Sequence, residues 1–419
     1  MSIEELEQYF LDHYYSSYER NNYDEFLEYT NFSFTTKAIH ISGTNGKGST
    51  ANYLYNIYLT NGYKVGLYTS PYLTDVTEMI KINGQNIPFN EYERLFLKYK
   101  SDFEKFHLSS FEMQTFIAYQ YFSEQKLDLV IIEVGMGGSI DATNVINPVL
   151  SIISNVSLEH TAYLGRSISE IAYNKAGIIK ENVPVLVGKL EESAMYAIKE
   201  YAKTMNSKLY VVNDFYNEHL VDGKYHFDYL PIKDIQLNTN SFYELTNASL
   251  AIEATRILSN LLPVSEEKIK KGLKCNLLPC RFEYIGRNIL LDGAHNPDGI
   301  HNLVISLEKN ENRPIHVIFA AFKDKNIESM LIELGNISND VTLTTFHHKR
   351  ARTQDDYFLY LGDYKFNDNY MTLIKEKSLQ FPDDLILVTG SLAFVGMVRK
   401  EMKLWNLMLF IKYRFQVWY

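Results

Sequence analysis

Hydrophobic positions along the chain fall into short continuous runs separated by longer stretches at helical spacing, the alternation expected of an α/β protein with parallel strands. Runs at 37–42, 64–69, 129–134 and 149–154 read as buried strands. The run Leu129-Val130-Ile131-Ile132 is apolar throughout, as a central parallel strand covered on both faces requires. Between the first two runs, residues 50 to 61 read as a helix stopped by Gly62, which makes a right-handed strand, helix and strand unit. Residues 3–29 carry Tyr, Phe and Leu at mixed helical spacings and predict one or two amphipathic helices packed beside this sheet. A core helix opens at 110–118, another opens at 243–248, and Ser167-Ile168-Ser169-Glu170 is a capping box that starts a third. Residues 189–240 alternate helix and strand signals without a readable motif. Strands near 288–291, 315–320, 341–345 and 384–389, separated by helical stretches, predict a second and smaller sheet.

A chain of 419 residues is too long for one ordinary core and suggests two globular domains. Hydrophobic residues at 46% and charged residues at 22% argue against extensive disorder. The net charge of −10 argues against a nucleic-acid binder while leaving room for a local basic pocket. Cys275 and Cys280 are the only cysteines, too few for a disulfide framework and without a C-x-x-C pair. With a helix opening rather than an export signal at Ser2-Ile3-Glu4-Glu5-Leu6, they point to a reducing cytoplasm. The apolar run near 404–411 is too short to span a bilayer and is followed by Lys412 and Arg414. The aromatic end, with Trp405, Phe410, Phe415, Trp418 and Tyr419, reads as a docking tail or a peculiarity of this chain.

Chemistry concentrates first at Gly43-Thr44-Asn45-Gly46-Lys47-Gly48-Ser49-Thr50, between the first strand and its helix. Three glycines are expected to bend the backbone with positive φ and turn successive N–H groups inward, with the positive end of the helix aimed at the same point. Lys47 adds a full charge, and the Ser49 hydroxyl is a potential Mg²⁺ ligand. A glycine-rich structural turn would need neither residue. Glu133 ends the most apolar strand, where a buried carboxylate requires a cation, most simply Mg²⁺. Ser70-Pro71-Tyr72-Leu73 leaves the second strand at the sheet's carboxyl edge, where ligand contacts gather. Taken alone, Phe111 is core, His160 is a satisfied polar residue and Lys175 is a solvated helix charge.

The form Gly-Thr-Asn-Gly-Lys-Gly-Ser departs from the general phosphate-loop pattern and resembles that of the folylpolyglutamate synthases and dihydrofolate synthases, members of the Mur ligase superfamily. Ser70-Pro71-Tyr72-Leu73 resembles the start of the family's mobile Ser-Pro-His-Leu loop, although Met79 stands where that loop has arginine; Lys81 is a substitute for the charge. Phe111-Glu112 with Thr115 matches Phe-Glu-x-x-Thr, and Asp141-Ala142-Thr143-Asn144 matches Asp-x-Thr-Asn. Leu278-Pro279-Cys280-Arg281-Phe282-Glu283 resembles Pro-Gly-Arg-x-Glu with Cys280 in place of glycine. Asn247 is kept from His-Gln-x-x-Asn-Ala, whereas Tyr243 and Glu244 replace the first two positions. Asp292-Gly293-Ala294-His295-Asn296-Pro297 and Thr389-Gly390-Ser391 match in the second domain, so the resemblance spans roughly residues 37 to 399.

The resemblance implies an α/β fold with a P-loop NTPase-like ATP- and folate-binding domain at 1–280 and a smaller Rossmann-like glutamate ligase domain at 281–419. It implies that residues Gly43 to Thr50 bind ATP phosphates, that Asn247 lies near the adenine, Arg281 and His295 near the phosphates, and Asp292 on the ribose. Ser49 and Glu133 would hold Mg²⁺, His160 a second Mg²⁺, and Lys175 would carry a CO₂-derived carbamate. Ser70, Phe111 and Glu112 would contact substrate, Phe111 by stacking on a pterin. The implied cofactors are ATP, two Mg²⁺ ions and a monovalent cation such as K⁺. The expected partners are small molecules alone (a folate or dihydropteroate, L-glutamate and ATP), with no nucleic acid or membrane, for a cytoplasmic monomer. The implied reaction phosphorylates a carboxylate, and the amine of glutamate then attacks the acyl phosphate, with Lys47, His160, Lys175 and His295 as catalytic residues. A peptidoglycan-type Mur ligase, a P-loop kinase and a non-catalytic folate- or nucleotide-binding protein are the rival readings.

Overall fold

A computed structural model describes residues 1–13 and 20–402; the aromatic stretch from Trp405 to Tyr419 and its docking role lie outside the described residues. The chain divides into two compact units. One comprises Met1–Val221, His226–Asn238 and Glu244–Asn276, and the other Asp222–Tyr225, Thr239–Tyr243 and the chain from Leu277 onward.

The first unit is built on an eight-stranded sheet: β1 (Ala38–Ser42), β2 (Val65–Tyr68), β3 (Ile80–Ile82), β4 (Gln85–Asn86), β5 (Leu129–Glu133), β6 (Leu150–Ile153), β7 (Val185–Val187) and β8 (Leu209–Val211). The order is β4-β3-β2-β5-β1-β6-β7-β8. The run from β2 to β8 is parallel, and β3 and β4 add an antiparallel edge. Every residue of β1, β2, β5 and β6 is buried, as their apolar runs require. The chain leaves β1 for β2 on one side, returns through β5, and then passes to β6 on the other. The carboxyl ends of β5, β1 and β6 therefore meet at a topological switch point, the place where such sheets bind ligands.

The helices of this unit are α1 (Ile3–Asp12), α2 (Arg20–Tyr29), α3 (Lys47–Thr60), α4 (Phe89–Lys105), α5 (Ser110–Glu124), α6 (Thr161–Leu164), α7 (Ile168–Ala176), α8 (Glu192–Thr204), α9 (Tyr243–Ile257) and α10 (Glu266–Cys275). The aromatic spacing near the N-terminus is spent on packing: Phe10, Tyr23 and Phe26 join Tyr92, Phe96, Phe103 and Phe116 in one buried cluster under α4 and α5. Helix α3 is covered by α10, where Gly272 lets the two backbones touch; a Cβ there would lie 2.5 Å from Ile57 Cα. The motif-free region resolves into β7, α8 and β8, followed by a three-stranded sheet of β9 (Tyr216–Val221), β10 (Lys224–Tyr229) and β11 (Ile232–Gln236) in the order β11-β10-β9. Strand β9 is exposed at every residue, whereas β10 alternates between half-buried and buried positions.

The second unit carries a six-stranded sheet of β12 (Glu283–Ile285), β13 (Ile289–Leu291), β14 (Ile315–Phe319), β15 (Asp340–Thr344), β16 (Lys365–Asn367) and β17 (Leu385–Thr389), ordered β12-β13-β17-β14-β15-β16. All pairs are parallel except β12 with β13. Helices α11 (Pro297–Asn310), α12 (Ile327–Ile337) and α13 (Tyr370–Gln380) accompany it, and residues 392–402 are helical. Asn296 caps α11, accepting from the Gly299 N–H at 2.7 Å, with Pro297 in the first turn.

Candidate active site

The loop after β1 is fastened to the exit of β6. Thr44 N–H donates to the Asn155 carbonyl at 3.1 Å, Asn45 N–H to Asn155 Oδ1 at 2.6 Å, and Ser154 Oγ to the Asn45 carbonyl at 2.5 Å. A Cβ on Gly43 would lie 1.9 Å from Ser154 Oγ, so this glycine is required by contact. Gly46, at φ 80°, is the left-handed residue that starts α3. The helix therefore begins at Lys47, three residues earlier than the sequence pattern predicts. Its ammonium donates to the Gly43 and Thr44 carbonyls at 2.9 and 3.1 Å, closing the loop on itself. Gly48 corrects the expectation of three positive-φ glycines, since it lies within α3 at no such angle. Its role is space: a Cβ there would sit 3.3 Å from both Glu133 carboxylate oxygens.

Glu133, at the end of β5, is buried against this glycine, and its Oε2 accepts from the Ser70 N–H at 3.1 Å. Ser70 thus contributes a backbone group at the exit of β2. Asn247, on α9, touches the loop itself, with its Oδ1 2.3 Å from where a Gly46 Cβ would be. Its neighbour Glu244 is fully buried and accepts from Ser49 Oγ at 2.7 Å and from Asn247 Nδ2 at 3.2 Å. Glu244, Ser154 and Asn155 are the contacts that sequence reasoning missed. The one available signal was a charged residue where the resembling motif carries glutamine.

Beyond β5 the glycine-rich segment packs on the last turn of α7. A Cβ on Gly138 would lie 2.6 Å from the Lys175 carbonyl, and one on Gly177 would lie 2.4 Å from Ser139 Cβ. Asp141 organises this segment, accepting from the Met136 N–H at 2.8 Å, the Thr143 N–H at 2.9 Å and Thr143 Oγ1 at 2.5 Å. Lys175, read from spacing alone as a solvated charge, is buried. Burial first, and then the charge of Lys47, bring its ammonium down to about 7, against the opposing pull of Glu159 and Asp141. His160 precedes α6 with φ 50° and is partly exposed, its Nε2 3.9 Å from Glu159 Oε1. Phe111 lies on Gly135, where a Cβ would be 2.5 Å from its ring, with the Tyr68 ring 6.3 Å away. Glu112 is occupied structurally: its Oε2 accepts from the Ser109 N–H and Oγ, both at 2.7 Å, in the capping box of α5.

In the second unit Asp292 is buried at the end of β13. Its Oδ2 accepts from the Tyr243 hydroxyl at 2.6 Å and the Phe282 N–H at 2.9 Å, and its Oδ1 from the Ala294 N–H at 2.9 Å. Burial raises this carboxyl above its ordinary value, while Tyr243 and the Arg281 charge oppose the rise. His295 Nδ1 lies 2.9 Å from the Gly293 carbonyl. Cys280 holds the left-handed φ of 59° expected of the glycine it replaces, tied by its N–H to Glu283 Oε2 at 2.8 Å and by its carbonyl to the Gly293 N–H at 2.8 Å. Glu283 is in turn gripped by Arg399 Nε at 2.7 and 2.9 Å. Burial pushes the Cys280 thiol up to about 12, which keeps it protonated.

Profiles of two Mur ligase domains match the chain: the Mur ligase middle domain over residues 41–254 and the Mur ligase glutamate ligase domain over residues 280–392. The dihydrofolate synthase/folylpolyglutamate synthase of Bacillus subtilis (strain 168) is 31% identical over 389 residues, 88% of this chain and 90% of the relative. The chain belongs to the folylpolyglutamate synthase/dihydrofolate synthase family. Within that family, the folylpolyglutamate synthase of Lacticaseibacillus casei is 32% identical over 385 residues, covering 87% of this chain and 89% of the relative. The solved FPGS–AMPPCP–folate complex superposes on the chain with a TM-score of 0.84 at 28% identity, covering 96% of this chain and all of that one. Family membership agrees with the switch-point loop, the glycine-rich segment on α7 and the parallel second sheet described above.

Proposed function

We propose that this protein is an ATP-dependent ligase that adds L-glutamate to reduced folates, with dihydropteroate as a second acceptor. The observation that carries this reading is the gathering of the Gly43–Ser49 loop, Glu133 and a buried Lys175 that feels the charge of Lys47. The solved relative holding both AMPPCP and folate supports the choice of substrates. ATP and folate binding are assigned to the first unit and glutamate ligation to the second.

A folate carboxylate oxygen attacks the γ-phosphorus of ATP and ADP leaves. The glutamate amine then attacks the acyl carbon of the acyl phosphate, loses a proton, and phosphate departs as the amide forms. The loop N–H groups and Lys47 would bind the transferred phosphoryl group, so that charge accumulating on its oxygens meets donors already in place. Ser49 and Glu133 would hold Mg²⁺. Their hard oxygen donors suit it, and phosphate oxygens and water would supply the remaining ligands. Once bound, Mg²⁺ supplies charge neutralisation and Lewis acidity. His160 would hold a second ion. Lys175, neutral about half the time near pH 7, attacks CO₂ through its amine nitrogen and releases a proton, leaving an anionic carbamate. Asn247 would bind the nucleotide, and Ser70 and Phe111 the folate. The cell's cytoplasm is the compartment that fits two free thiols.

Incubation with ATP, Mg²⁺, glutamate and either a reduced folate or dihydropteroate tests the reading through product masses and phosphate release. A glutamylated product with free phosphate is expected. A phosphorylated product with no amide would make the protein a kinase, and binding without turnover would make it a carrier.

A further inference from the structure

The Ser49 hydroxyl is held by a carboxylate that the loop motif does not predict. Ser49 Oγ donates to Glu244 Oε1 at 2.7 Å. Glu244 lies in the first turn of α9 and is fully buried. Its Oε2 accepts from Asn247 Nδ2 at 3.2 Å, and the Tyr53 phenol is also bonded to this carboxylate, which together with burial holds the phenol well above its ordinary value. Ser49, Asn247 and Tyr53 are neutral donors. An amide at this position would offer one acceptor oxygen where the carboxylate offers two, and the resembling motif has glutamine there. The helix terminus offsets only part of a buried negative charge. The carboxylate thus meets Ser49 with one oxygen and Asn247 with the other.

A hydroxyl oxygen carries one proton and two lone pairs. If one lone pair faces a divalent cation, the proton must point away from it, toward an acceptor. Glu244 Oε1 is such an acceptor, and an anionic acceptor draws the proton harder than an amide does, leaving more electron density on the serine oxygen. We propose that Glu244 is a positioning residue for the nucleotide's cation, fixing the Ser49 O–H so that a lone pair faces Mg²⁺ and strengthening that oxygen as a ligand. This rests on reading the loop as an ATP site.

The test is calorimetric binding of ADP in Mg²⁺ and in EDTA, on wild type, Glu244→Gln and Glu244→Asp, with thermal melting as the check on folding. In Glu244→Gln the EDTA affinity should stay within about twofold of wild type, while the Mg²⁺ affinity falls roughly ten- to a hundredfold, the usual scale for altering a group that supports a metal ligand. Glu244→Asp keeps the charge but withdraws it from Ser49 and should lose about as much. In a Ser49→Ala background neither change should have a further effect, because Glu244 acts through that hydroxyl. Equal losses in EDTA and Mg²⁺, or losses that persist undiminished in Ser49→Ala, would make Glu244 a packing residue and overturn the proposal. If Glu244→Gln does not fold, Glu244→Asp with and without Ser49→Ala decides by the same criteria. A wild type that binds no ADP overturns the ATP-site reading and this inference with it; a wild type that binds normally beside an unaltered Glu244→Gln overturns the inference alone.

Discussion

At the scale of single residues, three side chains carry opposite burdens. Lys47 serves the phosphate site while its ammonium also closes the loop on two carbonyls. Lys47→Ala is expected to lower kcat by on the order of 10²-fold or more, as for other preorganised charge stabilisers, while the far-ultraviolet spectrum stays native. Near wild-type turnover would remove Lys47 from the chemistry. Lys175→Ala should lose most ligation, and formate or acetate should restore part of it by standing in for the carbamate; a variant with full activity would dispose of the carbamate. His40 Nε2 lies 2.8 Å from Thr143 Oγ1, whose own proton goes to Asp141, so His40 is the donor there. Burial, with a smaller contribution from the Lys180 charge, depresses its pKa to about 3. The unfolded chain takes up a proton near pH 6.5 that the folded chain refuses, so stability is full above 6.5 and is lost as pH falls toward 3, at up to ~1.4 kcal/mol per unit. Urea denaturation at pH 7 and pH 5 should show a drop of about 2 kcal/mol from this group, absent in His40→Gln.

At the scale of elements, close approach recurs as the reason for small residues. Gly48 is the informative instance, because in a helix interior alanine is ordinarily better by about 1 kcal/mol. Here the added methyl would press on Glu133, 3.3 Å from each carboxylate oxygen. Gly48→Ala should therefore melt within a few degrees of wild type yet need several times more Mg²⁺ for half-maximal ligation. An unchanged Mg²⁺ requirement would mean that Glu133 can shift without consequence. Glycine thus marks three different demands in one loop: contact with Ser154 at Gly43, a left-handed turn at Gly46, and room for a carboxylate at Gly48.

At the scale of the molecule, the sequence carried the architecture well because burial and strand periodicity coincide. The apolar runs that become β1, β2, β5 and β6 are buried at every residue, and β17 of the second sheet is another such run. The site was legible where chemistry forces an unusual residue type, as with Lys47 or Glu133. It was not legible where a common residue acquires its role from the tertiary surroundings. Lys175 resembles any helix lysine until α7 is packed against the glycine-rich segment. Glu244 and Ser154 reach the loop from about 200 and 110 residues away in sequence, a pairing no local pattern encodes. Residues 189–240 were opaque for the opposite reason: their strands are short and partly exposed, so the hydrophobic signal is weak.

Strand β9 has a bearing on handling the protein rather than on its reaction. It is the outermost strand of its sheet among the described residues, and Tyr216, Leu220 and Val221 are exposed along it. Such an edge offers backbone N–H and C=O groups to any neighbouring chain, and solubility then depends on a charge that makes the pairing unfavourable. Glu218 is the one acidic residue in the strand. Glu218→Val would convert the segment into Tyr-Asn-Val-His-Leu-Val, rich in strand formers and without a gatekeeper. On concentration, light scattering should report self-association of that variant while its ADP affinity stays that of the parent; equal scattering from both would show that the edge is protected by its twist rather than by its charge.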